Sequence, residues 1–152
     1  MKVVIASDHG GFTLKEELKK YIAELGHDVA DYGAHSQDPV DYPDFAFLVA
    51  EAVAAGVCDR GIMIDGIGAA SAIVANKVAG IRAASCSDTF TAMMSRAHND
   101  SNVLTLGARV IGGGLAREIV RTWLSTEFEG GRHMRRVTKI IDFERRRFAP
   151  KE

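Results

Sequence analysis

Apolar and polar positions follow two alternating patterns along this chain. Short apolar runs rich in valine and isoleucine are typical of strands covered on both faces. Between the runs, apolar residues recur at steps of three and four, as on one face of an amphipathic helix. The predicted strands are residues 3–6, 27–32, 60–64, 80–84 and 102–107. The predicted helices are residues 12–25, 45–55, a segment ending near 77, 88–97, 115–124 and 132 to about 148.

Strands that alternate with helices in this way predict βαβ units and a parallel sheet, connected in the right-handed sense. The pattern therefore predicts an α/β fold with a five-stranded parallel sheet and an extended C-terminal helix. Residues 1–152 are expected to form a single domain, since this length suits one hydrophobic core. The polar, proline-containing stretch 33–43 is predicted as an irregular loop.

Composition narrows the possible classes of protein. With 19 Lys+Arg against 20 Asp+Glu, the chain has no overall field that would attract nucleic acid or an anionic membrane. No apolar stretch approaches the roughly 20 residues that span a bilayer. The two cysteines, Cys58 and Cys86, are too few and too far apart for a disulfide framework or a metal-binding pair. A cytoplasmic protein is therefore expected.

Acidic residues follow the first and third predicted strands. Asp8 and His9 end the first strand, and Asp65 ends the third, where the glycine loop 66–68 leads into a helix. Because parallel strands share a carboxyl edge, Asp8 and Asp65 are expected side by side where open α/β sheets bind ligands. Each carboxylate could instead cap the helix that follows it, and glycines mark any tight turn. The pairing of two acids favours a ligand site.

His98 and Asn99 follow the fourth helix and lie near the amino end of the fifth strand. Within one chain, His98 could reach the edge that carries Asp65 only by straining the fold. A neighbouring subunit is therefore expected to supply His98. Alone, a histidine at this position could also be a favourable cation at a helix C-terminus.

Several arginines could bind an anion. Arg109 follows the fifth strand, and Arg132, Arg135 and Arg136 share one face of the last helix, so they could converge on a phosphate. By spacing alone, these residues could equally form a solvated basic face. An apolar stripe on the same helix indicates packing against another chain or the body of the domain; it comprises Met134, Val137, Ile140 and Ile141.

Three chemistries fit parts of this pattern. A dinucleotide site would need its glycine fingerprint after the first strand, whereas the glycine loop here follows the third. A phosphorylated signalling domain would need an acidic pair after the first strand and a lysine after the fifth, and both are missing. Proton abstraction beside the carbonyl of a phosphorylated substrate would use all the groups: a carboxylate base, backbone N–H groups, histidines and arginines.

Seven segments, in order, resemble the ribose-5-phosphate isomerase type B and galactose-6-phosphate isomerase family. They are residues 7–12, 41–43, 61–77, 80–83, 95–100, 107–112 and 129–133. The resemblance covers nearly the whole chain. It implies a Rossmann-like sheet in a three-layer sandwich and aldose–ketose isomerisation of a phosphorylated sugar through a cis-enediol, without metal. It also implies homodimers or tetramers with active sites shared between subunits.

The resemblance implies roles for individual residues. Asp8 and His9 would contact the sugar, and His9 and His98 would act in ring opening. The enediolate would be stabilised by Asn99 and by the loop that contains Gly66, Ile67, Gly68 and Ala70. The phosphate would be held by Arg109, Arg132, His133 and Arg136.

The chain departs from the family pattern in the loop. Asp65 stands where typical type B enzymes have a cysteine base, Ile67 replaces the following threonine, and Ala70 replaces a glycine. A subgroup places a glutamate base where this chain has Ser71. An aspartate at the cysteine position resembles the A subunit of galactose-6-phosphate isomerase, which works beside a paralogous B subunit.

Two hypotheses follow from these departures. In the first, Asp65 is the base of an isomerase whose substrate preference differs from ribose 5-phosphate. An ordinary aspartate, with a reference pKa of about 3.9, is a weak base for a C–H proton, so the apolar neighbours Ile64 and Ile67 would have to strengthen it. In the second, the chain is a non-catalytic phosphosugar-binding or partner subunit of a hetero-oligomeric isomerase.

Overall fold

The structure, a computed structural model, describes residues 1–148. Its five strands are β1 Lys2–Ser7, β2 Asp28–Asp31, β3 Arg60–Asp65, β4 Ala83–Ser85 and β5 Val103–Gly107. Its six helices are α1 Phe12–Glu24, α2 Tyr42–Ala54, α3 Ala69–Ala75, α4 Thr89–Ala97, α5 Gly113–Ser125 and α6 Gly131–Phe148. All strands are parallel and form one sheet in the order β2-β1-β3-β5-β4. The predicted α/β class and five-stranded parallel sheet are confirmed.

The strand order creates a crevice between β1 and β3. From β1 the chain moves outward to β2, and from β3 it moves in the opposite direction to the edge strand β4 and then returns to β5. Ser7 pairs with Ile64, and Asp65 pairs with Gly107, so the carboxyl ends of the three central strands are level. Ligands of open α/β sheets bind where the strand order reverses, and here that position lies beside Asp8 and Asp65.

Helices cover both faces of the sheet and give three layers. Val3 and Ile5 of β1 pack into a core shared with α1, α4 and α5, which includes the fully buried Trp123. Their neighbours Val4 and Ala6 point to the other face, into a core shared with α2 and α3. Because side chains alternate between the faces of a strand, an apolar run buried on both sides fits a central strand.

Some element boundaries differ from the predictions. Helix α2 begins at Tyr42, inside the predicted loop 33–43, because Pro43 is tolerated in the first helical turn. Strand β4 begins at Ala83 instead of residue 80, since the Arg82 N–H donates to the side chain of Asn102 (2.8 Å). Asp88 caps α4, accepting from the Thr91 N–H at 2.7 Å.

Helix α6 is the predicted extended C-terminal helix. Residues 149–152 of the predicted domain lie outside the described residues. Among residues 1–148, no helix is both long enough and apolar enough to cross a membrane.

Candidate active site

The loop after β3 is folded around the carboxylate of Asp65, which is 2% exposed. Its Oδ1 accepts from the N–H groups of Ile67 (2.7 Å) and Gly68 (2.5 Å). Its Oδ2 accepts from the Ser71 N–H (2.9 Å) and also from the Ser71 hydroxyl. A carboxylate offers about four lone-pair positions, so these four donors fill the acceptor capacity of Asp65.

This arrangement favours the helix-capping role that the sequence left open for Asp65. To accept a proton from a substrate, Asp65 would have to lose at least one of its hydrogen bonds. The N–H groups of Ile67 and Gly68, predicted to stabilise an enediolate, donate to Asp65 instead. Because the Asp65 carboxylate belongs to the same loop, it already accepts from these N–H groups, and an external anion would have to displace it. The assignment of Asp65 as the base stays a prediction.

Two glycines allow the loop to pack this tightly on β5. Gly68 has φ of +80°, in the left-handed region that favours glycine. A Cβ on Gly107 would lie 2.6 Å from the Ile67 carbonyl carbon. Ser71, which completes the shell around Asp65, is fully buried. The sequence did not identify Ser71 as a partner of Asp65; the available signal was a serine in an otherwise apolar helix start.

Asp8 and His9 lie across the crevice, in the turn after β1. The Asp8 backbone N–H donates to the Ile64 carbonyl (3.1 Å), which holds this turn against β3. The Asp8 side chain is largely buried, and its Oδ1 accepts from the Gly11 N–H at 3.0 Å. The exposed His9 has Nδ1 3.2 Å from both the N and the O of Val40, which connects the turn to the loop before α2.

Arg109 lies over the turn at Gly66. Its backbone N–H donates to the Gly66 carbonyl (3.0 Å). A Cβ placed on Gly66 would be 3.7 Å from Arg109 Cδ and 3.8 Å from Nε. Asp8, His9, Gly66 and Arg109 therefore meet at the carboxyl edge of the sheet, as predicted from strand direction; these four residues form the strand-edge cluster.

A second group, the histidine cluster, consists of His98, Glu129, Arg132 and His133. The rings of His98 and His133 are stacked, with centroids 4.0 Å apart and planes 7° from parallel. Glu129 Oε2 lies 3.8 Å from His98 Nε2 and 3.6 Å from His133 Nε2. Glu129 was not predicted as a site residue; it lies in the loop before α6, four residues before His133.

Electrostatics favour a neutral His133. Burial lowers the pKa of His133, and the neighbouring His98 and Arg132 act in the same direction. Arg132 Nε donates to His133 Nε2 (3.3 Å), which requires an unprotonated Nε2. The exposed Asn99 and Arg136 extend the cluster, because Asn99 follows His98 and Arg136 lies one turn beyond Arg132.

The histidine cluster has a donor set that a divalent metal could use. One ligand atom each from His98, Glu129 and His133 lies within 4.8 Å of the other two, and two imidazoles with a carboxylate suit ions such as Zn²⁺. Arg132, however, already donates to His133 Nε2. A guanidinium at this distance disfavours a second cation.

The two clusters lie at opposite edges of the sheet. His98 ends α4 on the amino side of β5, and Arg109 follows the carboxyl end of β5. The five residues of this strand span roughly 17 Å. One chain therefore does not bring the histidine cluster to the strand-edge cluster, in keeping with the separation expected from the sequence.

Comparison with known proteins places this architecture in a family. The family model described as Ribose/Galactose Isomerase matches residues 3–140. Ribose-5-phosphate isomerase B of Escherichia coli is 49% identical, over 96% of this chain and 98% of the relative. D-erythrulose-4-phosphate isomerase of Pectobacterium atrosepticum is 43% identical, over 95% of each. The solved ribose-5-phosphate isomerase B of Clostridium thermocellum is 54% identical, with a TM-score of 0.95, over 97% of this chain and 99% of that one.

Proposed function

Because this chain belongs to the ribose/galactose isomerase family, we propose that it is a sugar-phosphate aldose–ketose isomerase. The observation that supports this most directly is the crevice between β1 and β3. There a carboxylate, a histidine and an arginine lie around a turn whose Gly66 carries no side chain. The named activities of two relatives that match nearly the whole chain point to the same class of reaction.

The proposed reaction moves a proton between two adjacent carbons through a cis-enediol. Asp8 and His9 contact the sugar carbons and hydroxyls from the turn after β1. Arg109 supplies positive charge beside Gly66, where a phosphate or an enediolate oxygen gains most from it. No step in this scheme uses a metal or an organic cofactor.

A second subunit completes the site. The histidine cluster carries the groups predicted for ring opening and phosphate binding, including His98, Arg132 and Arg136, at the opposite edge of the sheet from Asp8. A homodimer or tetramer in which this cluster faces the strand-edge cluster of a neighbour would unite them.

The substrate is proposed to be a phosphorylated sugar of four to six carbons. Ile67 is 59% exposed at the loop, so this chain presents an apolar side chain where the family's threonine would present a hydroxyl. An apolar surface cannot donate to a sugar hydroxyl. We therefore propose a preference that differs from that for ribose 5-phosphate.

A specific observation keeps a second function open. Asp65 stands at the cysteine position of the family, and its four hydrogen bonds leave it no vacant lone pair. A subunit that had lost its base could retain the arginines and bind phosphosugars beside a catalytic paralogue. This second proposal is a non-catalytic partner subunit.

One experiment separates the two functions. The purified protein is incubated in D₂O with four- to six-carbon sugar phosphates, and deuterium entry at C1 or C2 is followed by NMR. An isomerase exchanges the proton of at least one compound. Binding without exchange in any compound would favour the partner subunit and contradict the isomerase.

A further inference from the structure

We infer that Asp8 is the general base of the isomerisation, an inference that rests on the proposed function. Two carboxylates stand at the carboxyl ends of β1 and β3, and they differ in their remaining acceptor capacity. Asp65 is saturated by its own loop. Asp8 accepts on Oδ1 from the Gly11 N–H alone, and within residues 1–148 its Oδ2 accepts no hydrogen bond. Asp8 therefore has a lone pair free for a substrate proton.

The surroundings of Asp8 suit proton abstraction beside a carbonyl. The position that a Cβ would take on Gly10 lies 3.3 Å from Asp8 Oδ1 and 4.0 Å from the Gly66 amide nitrogen. The corresponding position on Gly66 lies 3.8 Å from Arg109 Nε. A carboxylate, a backbone N–H and a guanidinium therefore lie around Gly10 and Gly66, two neighbouring positions that carry no side chain. The two donors can take up charge that develops on a substrate oxygen.

Burial strengthens this assignment. Asp8 retains 9% of its surface, so few water molecules compete with a substrate for its free oxygen. The Asp8 turn is also held rigidly, since the Asp8 N–H donates to Ile64 and the Gly11 N–H donates to Asp8. A base held in a fixed position loses little freedom when the substrate binds.

One carboxylate is enough to move the proton from C1 to C2 of the substrate. Starting from the ketose, Asp8 Oδ2 takes a proton from C1, the C1–H electron pair becomes the C1=C2 double bond, and the carbonyl π pair moves onto O2. The hydroxyl proton of O1 then passes to O2. A lone pair of O1 then forms the carbonyl at C1. The electron pair of the C1=C2 bond takes the proton back from Asp8 at C2, which restores the Asp8 carboxylate. Exchange of the Asp8 proton with D₂O before its return leaves deuterium in the sugar.

Proton abstraction by Asp8 can be distinguished from ring opening with two ketoses that stay in the open-chain form. D-Ribulose 5-phosphate carries its phosphate on the hydroxyl that would otherwise close a furanose ring, and D-erythrulose 4-phosphate has too few carbons to form one. Deuterium exchange at their C1 therefore reports proton abstraction without a ring-opening step. The Asp8→Asn variant keeps Oδ1 as the acceptor for the Gly11 N–H, so it is expected to fold, but an amide cannot act as the base.

The prediction applies to whichever ketose the wild type exchanges. For that ketose, Asp8→Asn is expected to lower the rate of deuterium exchange at C1 about 10³-fold, the usual contribution of a general base. Its KM should change by less than about fivefold. Asp65→Asn is expected to keep exchange within roughly thirtyfold of wild type and to lower the melting temperature. Exchange in Asp8→Asn within tenfold of wild type would overturn the inference. So would a thousandfold loss in Asp65→Asn with an unchanged melting temperature. If the wild type exchanges neither ketose nor any other sugar phosphate, the proposed function itself fails, and the assignment of Asp8 falls with it.

Discussion

Ser71 and Asp65 form the hydrogen-bonded centre of the loop between β3 and α3. The Ser71 side chain is fully buried, and its hydroxyl donates to the carboxylate that also holds three backbone N–H groups. A hydrogen bond to a charged group contributes about 1.5–3 kcal/mol. The loop therefore depends on this pair for its shape.

The variant Ser71→Ala is expected to lower the free energy of unfolding by about 2 kcal/mol, because Asp65 Oδ2 loses one of two donors while it stays buried. Urea denaturation followed by circular dichroism measures the change. Ser87→Ala, which removes an exposed serine hydroxyl, is the matched control and should remain within about 0.5 kcal/mol of wild type. Equal stabilities for the two variants would show that the pair does not hold the loop.

For single residues, the sequence predicted positions in the fold but not hydrogen-bond partners. The positions of Asp8 and Asp65 at neighbouring strand ends follow from strand direction alone. The four donors to Asp65 do not, because they depend on the left-handed turn at Gly68 and on the close approach of the loop to Gly107. Hydrogen-bond saturation of a carboxylate is a property of three-dimensional geometry that spacing does not encode.

Among the elements, α1 and β2 are joined by a network of charges. Lys15 is fully buried, and its Nζ lies 2.8 Å from both carboxylate oxygens of Asp31. Lys19 adds a bond to Asp31 at 2.7 Å and another to Glu16. Although burial opposes the charged form, the bonds from Lys15, Lys19 and the Gly33 N–H lower the pKa of Asp31 to about 2.

This network predicts how stability depends on pH. Asp31 has a lower pKa in the folded protein (about 2) than its ordinary value of 3.8, so its contribution is fully present above about pH 4 and is lost as the pH falls towards 2. The loss should amount to about 2 kcal/mol.

Denaturation at a series of pH values between 5 and 2 measures this contribution, with Asp31→Asn compared with wild type. The variant should be less stable at neutral pH and should show a smaller loss on acidification. Asp28→Asn, which changes an exposed residue of the same strand, is the control and should follow the wild type. An Asp31→Asn curve parallel to that of the wild type would contradict the pKa assignment.

Periodicity predicted every helix and strand of the described chain, and it failed mainly at their ends. The start of α2 at Tyr42 and the start of β4 at Ala83 are set by a proline in a first turn and by the side chain of Asn102. Such local contacts are weaker signals than an apolar face repeated over ten residues. The charged network of Lys15 was not predicted either, since a lysine on a helix is usually solvated.

At the scale of the whole molecule, helix α6 is the element whose surface favours association with a second copy of the chain. It carries the arginines of the histidine cluster and a set of apolar side chains that remain about half exposed, namely Met134, Ile140 and Phe143. Val137, on the same stripe as Met134 and Ile140, is buried against its own chain. An apolar surface that continues beyond the intramolecular contact suits a second copy of the chain.

The proposed assembly would unite two sets of groups. The strand-edge cluster offers a carboxylate, one imidazole and one arginine, whereas the histidine cluster offers two further imidazoles and a guanidinium. The fold holds them at opposite edges of the sheet. Strand direction predicted this separation from the sequence, while the packing partner of α6 depends on surface complementarity that periodicity does not specify.

Subunit mixing tests most directly whether two chains form each active site of a sugar-phosphate isomerase. Asp8→Asn and His98→Asn are unfolded together in equal amounts and refolded, and isomerisation of a ring-forming aldose phosphate from the panel is assayed. Each variant is expected to be inactive alone on this substrate, because its conversion needs both ring opening and proton abstraction. Half of the dimers should be hybrids with one intact site of two, so the mixture should regain roughly a quarter of wild-type activity. A mixture no more active than its parents, with hybrid dimers observed by native mass spectrometry, would contradict a site shared between chains.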